Sequence, residues 1–176
     1  MDRFWKNRIR SLGGSLTLAL ALALVPGTPA ALAQSDPVAA RAALTVKFPR
    51  SHLTIETRDG RRLPFEIEEA NTPQRRMVGL MFRKTLAADA GMLFLWGEPG
   101  ERTMWMKNTF IPLDMLFLDD RGWIVHVAHN AEPKSEAIIA SPVPASAVLE
   151  IAGGTSQLFS IEEGDRVLHP LLSDQR

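Results

Sequence analysis

The chain of 176 residues contains no cysteine, which excludes disulfides, thiolate metal sites and thiol nucleophiles together. Stability must come from packing alone. A long apolar run is also lacking: the stretch from Leu16 to Val25 is about half the roughly 20 residues that a spanning helix needs. No Arg-Arg pair precedes that stretch and no cysteine follows it, so the general export route is expected and a lipid-modified cysteine is excluded. There is no basic tract, no internal repeat and no second domain.

What is present at the N-terminus has the three-part order of a secretory signal. Arg3, Lys6, Arg8 and Arg10 precede the apolar run, Pro26-Gly27 ends it, and Ala31-Leu32-Ala33 supplies small residues. Cleavage after Ala33 is predicted, with residues 1–33 as signal peptide and Gln34 as the first mature residue. The location is then periplasmic or secreted, with no stable membrane anchor after cleavage. Removing residues 1–33 takes four of the 20 basic and one of the 20 acidic residues, leaving 16 against 19. That mildly acidic balance gives no electrostatic footprint for nucleic acid.

Residues 34–50 are rich in alanine and proline without a sustained period and read as a flexible linker with one helical turn at most. From residue 51 to 172 a single β-rich domain is predicted. Leu53-Thr54-Ile55-Glu56 and Leu63-Pro64-Phe65-Glu66-Ile67-Glu68 alternate around Asp59-Gly60, the signature of a hairpin. Pro64 cannot donate to a ladder, so it belongs at an edge or a strand start. Thr72 and Pro73 open a short helix carrying Met77, Leu80 and Met81 and ending near Arg83. Further strands are expected at Met92 to Trp96, Thr103 to Lys107, Asp114 to Leu118, Trp123 to His129, Val148 to Ala152 and Arg166 to His169. A helical turn is expected at Gln157 to Ser160. Short runs between glycine and proline turns indicate a mainly β fold, a small antiparallel barrel or sandwich-like domain with one or two short helices.

Several blocks then carry a resemblance. Gly79-Leu80-Met81-Phe82-Arg83, Gly91-Met92-Leu93-Phe94, Trp105-Met106-Lys107-Asn108-Thr109 and Ile111-Pro112-Leu113-Asp114-Met115-Leu116-Phe117 are four of them. Val148-Leu149-Glu150-Ile151-Ala152-Gly153-Gly154 and Gly164-Asp165 follow. From about Leu53 to Pro170 the chain resembles the domain of unknown function 192 family. The resemblance implies a small barrel-like β fold with one or two helices, often carried behind an export signal, and no established activity.

The candidate site is the polar cluster Lys107, Asn108 and Thr109 beside Trp105, with Asp114 beyond the Ile111-Pro112 turn. These residues fit either a ligand site or a turn lock, in which Asn108 and Thr109 satisfy backbone groups and Asp114 pairs with Lys107 or an arginine. Glu150 faces either the same place or solvent. Ligand-binding candidates are therefore Trp105, Lys107, Asn108, Thr109, Asp114 and Glu150, for a small polar ligand or an envelope protein partner. The alternative is an enzyme on a polar envelope component such as a saccharide, with Asp114 and Glu150 as acid and base. His126 and His129 are three apart in a strand and point to opposite faces. His52 and His169, near the two ends of the domain, are left as a pair that can approach. The six methionines after the signal read as core rather than as copper ligands, so no metal and no cofactor is expected. No serine stands in a glycine-flanked elbow, and Gly153-Gly154 lacks the spacing of a phosphate loop.

Overall fold

The computed structural model describes residues 36–173, so the expected signal peptide, residues 1–33, and the expected cleavage after Ala33 lie outside the described residues. Helix α1 spans Pro37–Thr45, with Asp36 accepting from the amides of Val38 and Ala39. It is longer than the single turn expected of the linker and buries none of its residues. The hairpin follows as β1, Arg50–Glu56, and β2, Arg62–Ala70. Helix α2, Pro73–Val78, is capped by the Thr72 hydroxyl, which accepts from the Arg75 amide. It stops short of Arg83 because Gly79 (φ 49°) turns the chain into the left-handed region that favours glycine.

Next come β3, Ala90–Gly100, and β4, Thr103–Met104, then β5, Leu113–Leu118, and β6, Ile124–Ala131. After β7, Ile139–Ala140, the chain adds β8, Ala145–Ala152, α3, Thr155–Leu158, β9, Arg166–Leu168, and α4, Pro170–Ser173. Seven strands form one curled sheet in the order β6-β5-β8-β3-β2-β1-β9, while β4 and β7 pair separately. The fold is mainly β, as the turn spacing predicts. One pairing differs from the antiparallel pattern: β2 and β3 are parallel. The chain leaves β2 through α2 and re-enters alongside it, and a crossover of this length makes a parallel neighbour. Pro64 pairs with Thr54 on β1, before the first β3 partner at Glu66, so its missing donor costs no bond on the β3 side.

Thr103 to Lys107 is not one strand. Only Thr103 and Met104 pair, with Ala140 and Ile139; the Thr109 amide then donates to the Met106 carbonyl at 3.0 Å and closes a turn.

Two apolar clusters fill the two sides of the sheet. Leu116, Leu149, Ile151, Leu93 and Ile55 belong to the cluster inside the curl, and Met92, Phe94, Met106, Met115 and Phe117 to the other. The curl brings the two sheet edges together at a bridge between Trp123 and Arg166. The Val167 amide donates to the Gly122 carbonyl at 2.8 Å and the Ile124 amide to Asp165 at 2.8 Å. Gly122 (φ 83°) permits this approach, since a Cβ there would lie 2.2 Å from the Val167 carbonyl oxygen. Gly60 (φ 84°), in the β1–β2 turn, has open space around it. Gly60→Ala should therefore cost about 1 kcal/mol of strain alone, whereas Gly122→Ala must also push two strands apart and should cost about 3 kcal/mol or more. Urea melts of the two variants check the difference; equal losses would refute the closure.

Candidate functional site

Strands β5 and β8 are neighbours in the sheet, with Asp114 opposite Ile151 and Glu150 opposite Met115. One step out of register means opposite faces. Asp114 and Glu150 are therefore separated by the sheet itself and cannot flank one bond, which overturns the acid and base pairing proposed from the sequence.

Asp114 is fully buried and bonded on every side. Its carboxylate accepts from the amides of Asn130 at 2.7 Å, Gly154 at 3.1 Å and Ser156 at 2.8 Å, and from the Ser156 hydroxyl at 2.7 Å. Because that hydroxyl gives its proton to Asp114, it accepts from Nδ1 of His129 at 2.8 Å. Asp114 is thus a lock joining β5, β6 and the start of α3. Its partners are backbone amides and a serine, not Lys107 or an arginine as the lock reading supposed.

Glu150 has the opposite environment. It is 4% exposed, its cross-strand neighbours are Met92 and Met115, and its carboxyl has no hydrogen-bond or ion-pair partner among the described residues. Burial penalises the charged form and pushes its pKa up to about 8. The carboxyl lines a pocket of about 100 Å³ whose walls include Phe94, Trp96, Trp105, Lys107 and Thr109, with Arg76 from α2. Of the sequence candidates, the structure brings Trp105, Lys107, Thr109 and Glu150 together here. Asn108 lies at the turn beside them in a left-handed conformation (φ 58°); its carbonyl accepts from the Phe82 amide at 2.9 Å and its side-chain amide donates to the Met81 sulfur at 4.0 Å.

Lys107 pairs with Glu136 at 3.8 Å and lies 5.7 Å from the Trp105 ring centre. Trp105 is 46% exposed, while Met106 between them is buried. Thr109 is buried too, so it does not share the open face of Trp105 and Lys107. The sequence reading missed Arg76 and Trp96. The Arg76 guanidinium donates to the Leu95 carbonyl at 2.6 Å and stacks on Trp96, 5.3 Å from its ring centre. Helical spacing from Thr72 offered no signal that Arg76 would meet a strand residue 20 positions away.

Met77 departs from the core reading of the methionines: it is 64% exposed and, with Met81 and Met104, lines the same pocket. Among the described residues no group of three or more His, Asp or Glu could hold a metal ion. His126 faces Glu163 at 3.2 Å and His129 faces Ser156.

His52 does not meet His169. Its neighbour Ser51 does, at 3.0 Å from Nε2, while donating to Glu69 at 2.7 Å. Nδ1 of His169 accepts from the Leu171 amide at 3.3 Å, so in the neutral ring Nε2 carries the proton and cannot activate Ser51. Burial lowers the His169 pKa, with Glu69 opposing. This cluster fastens α4 to the hairpin.

Comparison with known proteins places these residues in a family context. The profile of the domain of unknown function 192 family, described as Uncharacterized ACR, matches residues 54–169. A Sinorhizobium meliloti 1021 protein named as a candidate transcription regulator is 42% identical, with a TM-score of 0.69 over 70% of this chain and 95% of that one. A protein of unknown function from Novosphingobium aromaticivorans DSM 12444 is 34% identical, with a TM-score of 0.66 over 73% of this chain and 96% of that one. No curated protein matches.

Two outcomes follow from the separated faces. Met106→Ala should cost about 2 to 5 kcal/mol, and Asp114→Asn about 2 to 4 kcal/mol through lost acceptance from buried donors. Lys107→Ala should stay within about 0.5 kcal/mol. Urea melts measure all three, and a Lys107→Ala loss equal to that of Met106→Ala would contradict its placement at the rim.

The second concerns pH. The folded chain holds a proton on Glu150 that the unfolded chain releases, so its contribution is fully present below the ordinary carboxyl pKa of about 4.5 and declines as pH rises toward about 8. His169 acts oppositely, its lowered pKa costing stability as pH falls below the ordinary histidine value of 6.5. The clean quantity is therefore the difference between wild type and Glu150→Gln. That difference should shift in favour of Glu150→Gln by about 2 kcal/mol or more from pH 5 to 7; a flat difference would show that Glu150 ionises normally.

Proposed function

The chain belongs to the domain of unknown function 192 family, and we propose that this member is an exported module that binds a small polar ligand in the Glu150 pocket. One observation carries the reading: a carboxyl group on a central strand, buried without a partner, facing a cavity walled by aromatic rings. The carboxyl faces a pocket and no protein group competes for it, so a ligand that bonds it displaces only solvent there. Apolar walls with a few convergent polar groups are the usual composition of such sites.

Export is supported by the charges, apolar run and small residues of positions 1–33. The regulator name of the Sinorhizobium meliloti relative asks for a cationic face toward DNA. Residues after 33 hold 16 basic against 19 acidic side chains, so the name stays with that relative. Saccharide cleavage by Asp114 and Glu150 is set aside because the sheet lies between them.

A thermal-shift screen of metabolites and saccharides on the purified protein tests the proposal, since a ligand of the folded state raises the midpoint by mass action. A hit held in this pocket should lose about tenfold or more in affinity in Trp105→Ala, the loss of roughly 1.4 kcal/mol of ring contact. A shift that persists in both Trp105→Ala and Glu150→Leu would put binding elsewhere and end the proposal.

A further inference from the structure

Charge around the Glu150 pocket is of one sign. Arg76 lines it from α2 and Lys107 from the turn after β4. Arg102 joins them at its edge, stacking with Arg76 on the Trp96 ring at 5.1 and 5.3 Å from its centre. Neither guanidinium has a carboxylate partner among the described residues. They oppose each other: burial first, then the Arg102 charge, lowers the pKa of Arg76.

Glu150 does not offset them, because burial keeps it protonated through neutral pH. Its cross-strand neighbours, Met92 and Met115, carry no charge, and Glu136, which pairs with Lys107 at 3.8 Å, does not line the pocket. An entering cation meets like charge at both ionised lining residues. An entering anion meets opposite charge and a carboxylic acid able to donate.

Resting on the binding reading above, we infer that the pocket receives a small organic carboxylate, its charged end held by Arg76 and Lys107 and its remaining atoms packed between Trp96, Trp105 and the Glu150 carboxyl. The pocket, of about 100 Å³, is small and open to one side, which suits a small acid. Neutral Glu150 donates its O–H to an oxygen of the ligand. Ionised Glu150 repels it, so affinity falls as pH passes about 8.

The experiment is calorimetric titration of the purified protein in carboxylate-free buffer at pH 7 and 9, with lactate, pyruvate, methylammonium and glycerol as probes. Lactate or pyruvate should bind at pH 7 and about tenfold more weakly at pH 9, the ratio of protonated Glu150 at the two pH values for a carboxyl titrating at about 8. Lys107→Gln should weaken binding by a similar factor, with its thermal midpoint unchanged. Glu150→Gln keeps a donor and should bind with no pH response. Carboxylate binding that ignores Lys107→Gln, or a pH response that survives Glu150→Gln, overturns the inference. Methylammonium or glycerol binding, lost in Trp105→Ala, would overturn it while leaving the pocket a ligand site. No binding by any probe at millimolar concentration would count against both.

Discussion

Between β3 and β5, strand β8 is covered on both faces. Ala147, Leu149 and Ile151 turn into the cluster inside the curl, and Val148 turns into the cluster under α2. A polar group placed on this strand loses most of its contact with water, which favours a bonded or neutral form. Ser146 and Glu150 share the Val148 face by alternation, and the Ser146 hydroxyl also lacks a hydrogen-bond partner. The burial that makes the sheet stable is the same burial that raises the Glu150 pKa.

The two buried carboxyls of β5 and β8 show how differently a sheet can treat one chemical group. Asp114 gathers three amides and a hydroxyl, which replace the hydration it gave up. Glu150 gathers none. A single step of register decides which face each side chain joins: the Asp114 face ends on α3, whose first turn supplies donors, and the Glu150 face ends on a pocket none of whose polar groups bonds its carboxyl. The bonded carboxyl and the pocket-facing one are thereby placed on opposite sides of the same strand pair.

Local rules made the hairpin at Asp59-Gly60 and the Thr72-Pro73 helix start legible, because turn geometry and capping depend on neighbours in sequence. The parallel pairing of β2 with β3 depends on where a 19-residue crossover returns, and no local pattern encodes it. The turn after Met104 was hidden for a related reason. Met104-Trp105-Met106-Lys107 alternates like a strand, yet Met106 and Thr109 spend their backbone bonds on residues 132–135 rather than on a ladder: the Met106 amide donates to Ser135 and the Thr109 carbonyl accepts from Lys134. Glu150 carried a readable signal. One acid within Ala145-Ser146-Ala147-Val148-Leu149-Glu150-Ile151-Ala152 breaks an otherwise small and apolar run, and such runs mark strands covered on both faces. Alternation alone could not say so, since in β8 it separates two buried sides instead of a wet side from a dry one.

The turns that follow Met81 and Lys107, two lining residues of the pocket, are cross-linked. Phe82 and Asn108 both adopt left-handed backbone conformations, φ 63° and 58°, at a cost of roughly 1 to 2 kcal/mol each. The bond from the Phe82 amide to the Asn108 carbonyl ties the two turns together, and the rings of Phe82 and Phe110 meet edge to face at 5.8 Å. Strain held by such cross-links is conformational freedom already surrendered in the folding step, so binding need not surrender it again. At the opening, Met77 is largely exposed and Trp105 half-exposed. An unbranched thioether adapts its shape and a ring supplies area with few torsions. On the binding reading proposed above, a fixed backbone beside an adjustable rim would leave discrimination between ligands to the polar groups of Arg76, Lys107 and Glu150.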